Sequence, residues 1–142
     1  MSEKLTDETR AILTERFSRD SLISIATSVN NIPHVRTVDA YYDDGSFYTV
    51  TYALSNKMLQ IESNPSVAVC GEWFTAHGTG ENIGHVCAEE NKEIAEKLRT
   101  AFSAWYGNGH VNEADPNTCI LRIRLTDGFL VAEEKKFELD FT

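Results

Sequence analysis

The stretch RTVDAYYDDGSFYTVTYALSNKMLQIESNP, residues 36–65, decides how this chain is read. His34–Tyr42 and Ser46–Thr51 are rich in β-branched and aromatic residues, and Asp43-Asp44-Gly45 between them is a hairpin signal. From Ser55 to Glu62 the character changes: Lys57, Met58, Leu59, Gln60 and Glu62 favour helix, Ser55 can cap it, and Asn64-Pro65 ends it. A hairpin therefore runs straight into a short helix. Charge marks the same stretch. Between Arg19 and Lys92 the only permanent cations are Arg36 and Lys57, set among nine carboxylates. Both stand near small hydroxyl residues, Thr37 for Arg36, and Thr51 and Ser55 for Lys57. An arginine fork, an ammonium and hydroxyl donors are the parts that hold one phosphate.

Outward from this stretch the chain alternates strands with a few helices. Toward the N-terminus, Leu22–Thr27 reads as a strand closed by a turn over Val29–Pro33. Before it, Thr9, Ile12, Leu13 and Phe17 share a helical face, so a helix is expected over Asp7–Ser18. Thr6 would be its N-cap, with Thr9 rather than Glu at the third position leaving the capping box incomplete. Toward the C-terminus, Ser66–Trp73 reads as a buried strand, Phe74–Thr79 as a loop and Glu81–Ala88 as a strand, where Gly84 suggests a bulge. Glu89–Trp105 carries Ile94, Leu98, Ala101, Phe102 and Trp105 at helical spacing. Thr118–Leu125, a turn at Asp127-Gly128, Phe129–Ala132 and Lys136–Phe141 complete the count at six or seven short strands. The expected class is mainly β: an antiparallel, closed or split barrel with helices outside.

The totals exclude several classes. A chain of 142 residues is expected to form one domain, residues 1–142. Its net charge of -9 argues against nucleic acid or an anionic membrane as partner, so an anionic ligand needs a local cationic pocket. The polar start, with no apolar leader and no span-length apolar run, points to a cytoplasmic protein. Cys70, Cys87 and Cys119 show no metal or redox spacing and read as reduced, buried thiols; His34, His77, His85 and His110 show no metal-ligand spacing. No metal is expected. Asp39 and Glu72 read as solvated carboxylates by default, Trp73 and Trp105 as core or interface residues, and His110 as an exposed loop residue.

Taken together, Arg36-Thr37-Val38, then Thr51, Ser55 and Lys57, then Gln60-Ile61-Glu62, Asn64-Pro65, Trp73 and Gly84 resemble the pyridoxamine 5′-phosphate oxidase-like family of FMN-binding split barrels. The resemblance covers residues 20–90 and more loosely the whole chain. It implies a homodimer with FMN in grooves at the interface. In that scheme Arg36, Ser55 and Lys57 hold the phosphate with Thr51 close by. The backbone around Thr37, Val38 and Val50 lines the flavin ring, Asn56 lies in the same loop, and the partner chain contributes from around Glu72, Trp73 and Thr79. Thr79 stands where the family usually has glutamine. The C-terminal Arg-x-His pattern of the vitamin B6 oxidases is missing, so their activity is not implied, and the chain looks more like the short general-stress-type members. The implied function is an FMN-dependent oxidoreductase of unknown substrate. The alternatives are a non-enzymatic flavin-binding stress, storage or sensor protein, a split barrel binding haem or F420, and a barrel that binds no cofactor.

Overall fold

The computed structural model describes residues 5–142. In chain order the elements are α1 (Asp7–Phe17), β1 (Ser21–Val29), β2 (Ile32–Asp43), β3 (Ser46–Tyr52), α2 (Asn56–Ser63), β4 (Ser66–Gly71), β5 (Phe74–His85), α3 (Lys92–Ala101), β6 (Thr118–Ala132) and β7 (Lys135–Asp140). The strands hydrogen-bond in the order β3-β2-β1-β4-β5-β6-β7, and β3 also pairs with β6. That extra pairing closes six strands into an antiparallel barrel, with β7 added along the far half of β6. The fold is the expected split barrel.

The strands bury one face by period-two alternation, and the helices stop the ends. Ile23, Ile25 and Thr27 point inward from β1. At one end Leu13 and Phe17 of α1 are buried, with the Phe17 ring 5.6 Å from Phe47 and 5.3 Å from Phe74. Burying a ring of this size contributes about 2–3 kcal/mol. At the other end α2 inserts Met58 and Ile61, and Ile61 lies so close to Gly80 that a Cβ there would meet it at 3.0 Å. A second cluster lies outside the barrel wall, where Ala95, Leu98 and Phe102 cover Ile120 and Val86, with Tyr41, Tyr48, Val50 and Trp105 packed around them.

Several expectations need correction. The segment 74–79 is not a loop: β5 runs unbroken from Phe74 to His85. Its glycines serve close approach rather than a turn, since a Cβ on Gly78 would lie 2.8 Å from the Arg124 carbonyl oxygen. Asp127-Gly128 is likewise no turn. β6 passes through it, and a Cβ on Gly128 would sit 2.5 Å from the Thr75 carbonyl oxygen. The real β6–β7 turn is Glu133-Glu134, at φ 52° and 63°, which carries no glycine or asparagine to announce it. The Val29–Pro33 turn contracts to Asn30-Asn31, at φ 53° and 64°. Pro33 belongs to β2, tolerated because that strand is paired only with β1 until Tyr41. The helix expected to Trp105 stops at Ala101 and starts from a separate turn at Glu89–Asn91. The buried Asn91 amide donates to the carbonyls of Ile83 and His85, 3.0 Å each, and so pins the expected bulge at Gly84. The capping box of α1 is complete after all, because the Thr9 hydroxyl accepts from the Thr6 N–H at 3.0 Å. Cys119 is buried, but Cys70 and Cys87 are exposed; all three are free.

Candidate functional site: two cations and an unpartnered hydroxyl

Arg36 stands at an inward position of β2, opposite Ile25 of β1. Its guanidinium is held flat against neutral groups. Nη1 donates to the Ile25 carbonyl at 3.2 Å and to the Thr27 hydroxyl at 2.9 Å, and Nη2 donates to Gln60 Oε1 of α2. Thr27 itself donates to the same Gln60 oxygen at 2.6 Å. These bonds use three of the five N–H donors of the side chain and leave Nε and one Nη2 hydrogen for a ligand.

Lys57 enters from the first turn of α2. Burial lowers its ammonium pKa, and the nearby Arg36 charge lowers it further; burial lowers that of Arg36 as well. Among the described residues neither cation is paired with a carboxylate, although the chain carries 22 Asp and Glu. Two like charges are thus drawn together and partly desolvated with neutral acceptors on Arg36 but no carboxylate among the described residues to offset them, which is unfavourable unless an anion joins them.

Ser55 supplies the third part. It is the N-cap residue of α2, yet its hydroxyl makes no capping bond. Its Oγ is buried with no hydrogen-bond partner. A buried hydroxyl left unpaired costs about 1–3 kcal/mol. The helix start adds free backbone N–H groups and the positive end of its dipole. Thr51 stands opposite Cys119, and Lys57 lies close enough to Cys119 to be felt by its thiol. Arg36, Thr51, Ser55 and Lys57 are therefore brought to one end of the barrel. This donor set, a guanidinium, an ammonium and hydroxyls, has the chemistry that holds a phosphate.

The remaining expected residues divide. Val38 is half-buried against the barrel core, and Val50 packs in the outer cluster. Thr37 and Asn56 are exposed beside Arg36 and Lys57 in the chain. Trp73 is not brought to this cluster. Trp73, 71% exposed at φ 50°, lies in the β4–β5 turn beside α1, where Arg16 donates to the Glu72 carbonyl at 3.0 Å. Thr79 lies between Ser66 and Arg124 in the sheet. Sequence reading missed Thr27. The available signal was a hydroxyl at the fourth inward position of a strand whose two preceding inward positions are isoleucines.

The family model described as pyridoxamine 5′-phosphate oxidase matches residues 5–132, and the chain belongs to that family. No curated protein matches it by sequence. Among solved structures it is similar to the general stress protein 26 from Bacillus anthracis, at TM-score 0.69 and 18% identity, covering 92% of this chain and 98% of that one. It is similar to an FAD-binding protein from Mesorhizobium loti, at TM-score 0.66 and 15% identity, covering 89% and 94%. A haem-binding protein from Mycobacterium smegmatis matches at TM-score 0.66 and 12% identity, covering 87% of this chain and 54% of that one. At these identities the likeness is one of fold. No helix among the described residues is long and apolar enough to cross a membrane, and no described group of His, Cys, Asp and Glu is arranged to hold a metal ion.

Proposed function

We propose that this protein is an FMN-binding oxidoreductase whose phosphate-binding end is Arg36, Ser55 and Lys57, with Thr51 alongside. The observation that carries the reading is the Ser55 hydroxyl, buried without a partner at the start of the helix that carries Lys57, whose ammonium and the Arg36 guanidinium have no carboxylate partner among the described residues. A phosphate there would accept from Ser55, from the two open N–H groups of Arg36 and from Lys57, and would offset their mutual repulsion. The backbone around Thr37, Val38 and Val50 would flank the ring system, with Asn56 at the edge of the same loop. Trp73 and Thr79 would come from a second copy; within one chain Trp73 lies in the β4–β5 turn beside α1, away from the cluster. Bound flavin would supply the electron chemistry; the side chains described here bind, orient and exclude water. The fold's family relation supports a flavin but names no substrate.

Titration of the purified protein with FMN and with riboflavin tests this. FMN is expected to bind at least tenfold tighter than riboflavin, because only FMN carries the phosphate. Equal affinities would overturn the phosphate assignment. Light scattering on the flavin-loaded protein is expected to give a dimer; a monomer with full flavin would remove Trp73 and Thr79 from the site. Reduced protein mixed rapidly with candidate acceptors is expected to reoxidise faster than free FMN, which separates turnover from storage.

A further inference from the structure

A pair of carboxyl groups lies outside the phosphate cluster, on the outer face of β1 and β2. Asp20 ends the turn after α1, and Asp39 stands on β2 opposite Leu22, two residues further along from Asp20. One oxygen of Asp20, Oδ2, accepts from Trp105 Nε1 at 2.9 Å. The other, Oδ1, is buried and receives no N–H or O–H donor. The β1–β2 register, Ser21 opposite Ala40 and Leu22 opposite Asp39, sets the Asp39 carboxyl beside this one, and after burial the Asp20 carboxyl is what raises Asp39. Two carboxylates cannot donate to each other, so the pair can bond through the open Asp20 Oδ1 only while a proton is shared between them. Trp105 in turn stacks on Phe102 at 4.9 Å and meets the His110 ring edge-on at 6.2 Å. It is the residue from which the exposed Tyr106–His110 turn springs.

We propose that Asp20 and Asp39 form a proton-sharing latch that fastens Trp105, and with it the start of the Tyr106–His110 turn, to the β1–β2 wall, and that loss of the shared proton loosens this attachment.

The charged groups around the pair do not neutralise it. Arg16 and Glu72 share a cavity of about 270 Å³ with Asp20, but Arg16 is committed to the carbonyls of Glu72 and Val131. Arg19 turns back onto the Glu15 carbonyl at 3.2 Å, and α3 brings Glu93, Glu96 and Lys97 to a cavity shared with Arg19 and Tyr41, where Lys97 is committed to Asp43 at 3.0 Å. β1 presents Leu22 and Ser24 on this face, β2 adds Tyr41 beyond Asp39, and the segment after α3 brings His110 onto Trp105. Burial, followed by the Asp20 carboxyl, pushes Asp39 up from 3.8 to about 6, and no cation acts against this. Below about pH 6 the pair holds one proton and is attractive; above it two carboxylates repel across a partly buried contact. Trp105 and Val50 pack in one cluster, so the latch also sets the packing behind a residue given to the flavin face above. That consequence alone rests on the FMN reading; the latch needs no cofactor.

The test therefore runs on cofactor-free protein. The chain has two tryptophans, and Trp73→Phe leaves Trp105 as the sole reporter. His110→Asn in the same background removes the imidazole that touches it. Trp105 emission followed from pH 8 to pH 4.5 is expected to show one transition centred near pH 6, with the longer-wavelength form at high pH. Asp39→Asn is expected to abolish the transition and hold one emission form throughout, because an amide donates without titrating. If Asp39→Asn does not fold by circular dichroism, Asp20→Asn serves in its place. Emission that is flat in the parent, or a transition that survives these variants, would overturn the proposal. Neither outcome bears on FMN binding, which is read separately by the FMN and riboflavin titrations.

Discussion

Removing the Ser55 hydroxyl separates a ligand-binding role from a structural one. A serine at an N-cap ordinarily stabilises its helix through a side-chain bond, and replacing it by alanine costs about 1 kcal/mol. Here no such bond exists, so that loss does not apply. The hydroxyl is instead a buried, unpaired group. Ser55→Ala should therefore leave the cofactor-free protein as stable as before, or more stable by up to about 1 kcal/mol, since the desolvation penalty of about 1–3 kcal/mol is relieved in part. With a phosphate present the sign reverses. A hydrogen bond to a charged group contributes about 1.5–3 kcal/mol, so FMN affinity should fall about 10- to 150-fold. Riboflavin affinity should stay the same. The assay is paired: urea unfolding without ligand, and fluorescence titration with FMN and riboflavin. The reasoning fails if Ser55→Ala destabilises the free protein by more than 1 kcal/mol, roughly the value of an ordinary cap. It also fails if FMN binding is unchanged.

Other outcomes follow from the same structure. Lys57→Ala should bind FMN at least tenfold more weakly while unfolding no more easily than the parent, because it removes a desolvated cation held against Arg36; destabilisation measured by urea would contradict this. Glu113 accepts from Arg99 at 2.8 Å and from Tyr106 at 2.6 Å, and these bonds hold its carboxyl near 2 instead of 4.5. Its folded pKa is depressed, so its stabilisation is full above pH 4.5 and lost as pH falls toward 2. Discounted for a surface pair, that amounts to about 1 kcal/mol, and Glu113→Gln should lose it at pH 7 but not at pH 2.5 in thermal melts. Asp39 has the opposite sign. Its pKa is raised, so its stabilising effect is full below 3.8 and is lost as pH rises through about 6, and Asp39→Asn should gain stability at pH 8 but not at pH 4. Gly128→Ala should destabilise by about 1–3 kcal/mol or more, measured by urea midpoint, since its Cβ must displace the Thr75 carbonyl. An unchanged midpoint would mean that β5 and β6 are not so closely apposed.

The barrel class was legible in the chain alone, because period-two burial and local turn chemistry are written in adjacent residues. The first hairpin, the short helix after it and the bulge at Gly84 were legible on that basis. Glycine misled at Gly78 and Gly128, where it means close approach between β5 and β6, a fact about a strand distant in sequence. The β6–β7 turn was invisible because Glu133-Glu134 takes up positive φ without a residue that favours it. The cations of the site were legible as an anomaly of charge, and the family resemblance assigned them to one phosphate. Only the tertiary structure decided what surrounds them. Gln60 and Thr27, 33 residues apart, meet over the Arg36 guanidinium because β1 pairs with β2 while α2 closes the same end of the barrel. Only the fold could show that Ser55 is left without a partner, because an unmet hydrogen bond is a property of everything packed around a group and not of the residue itself.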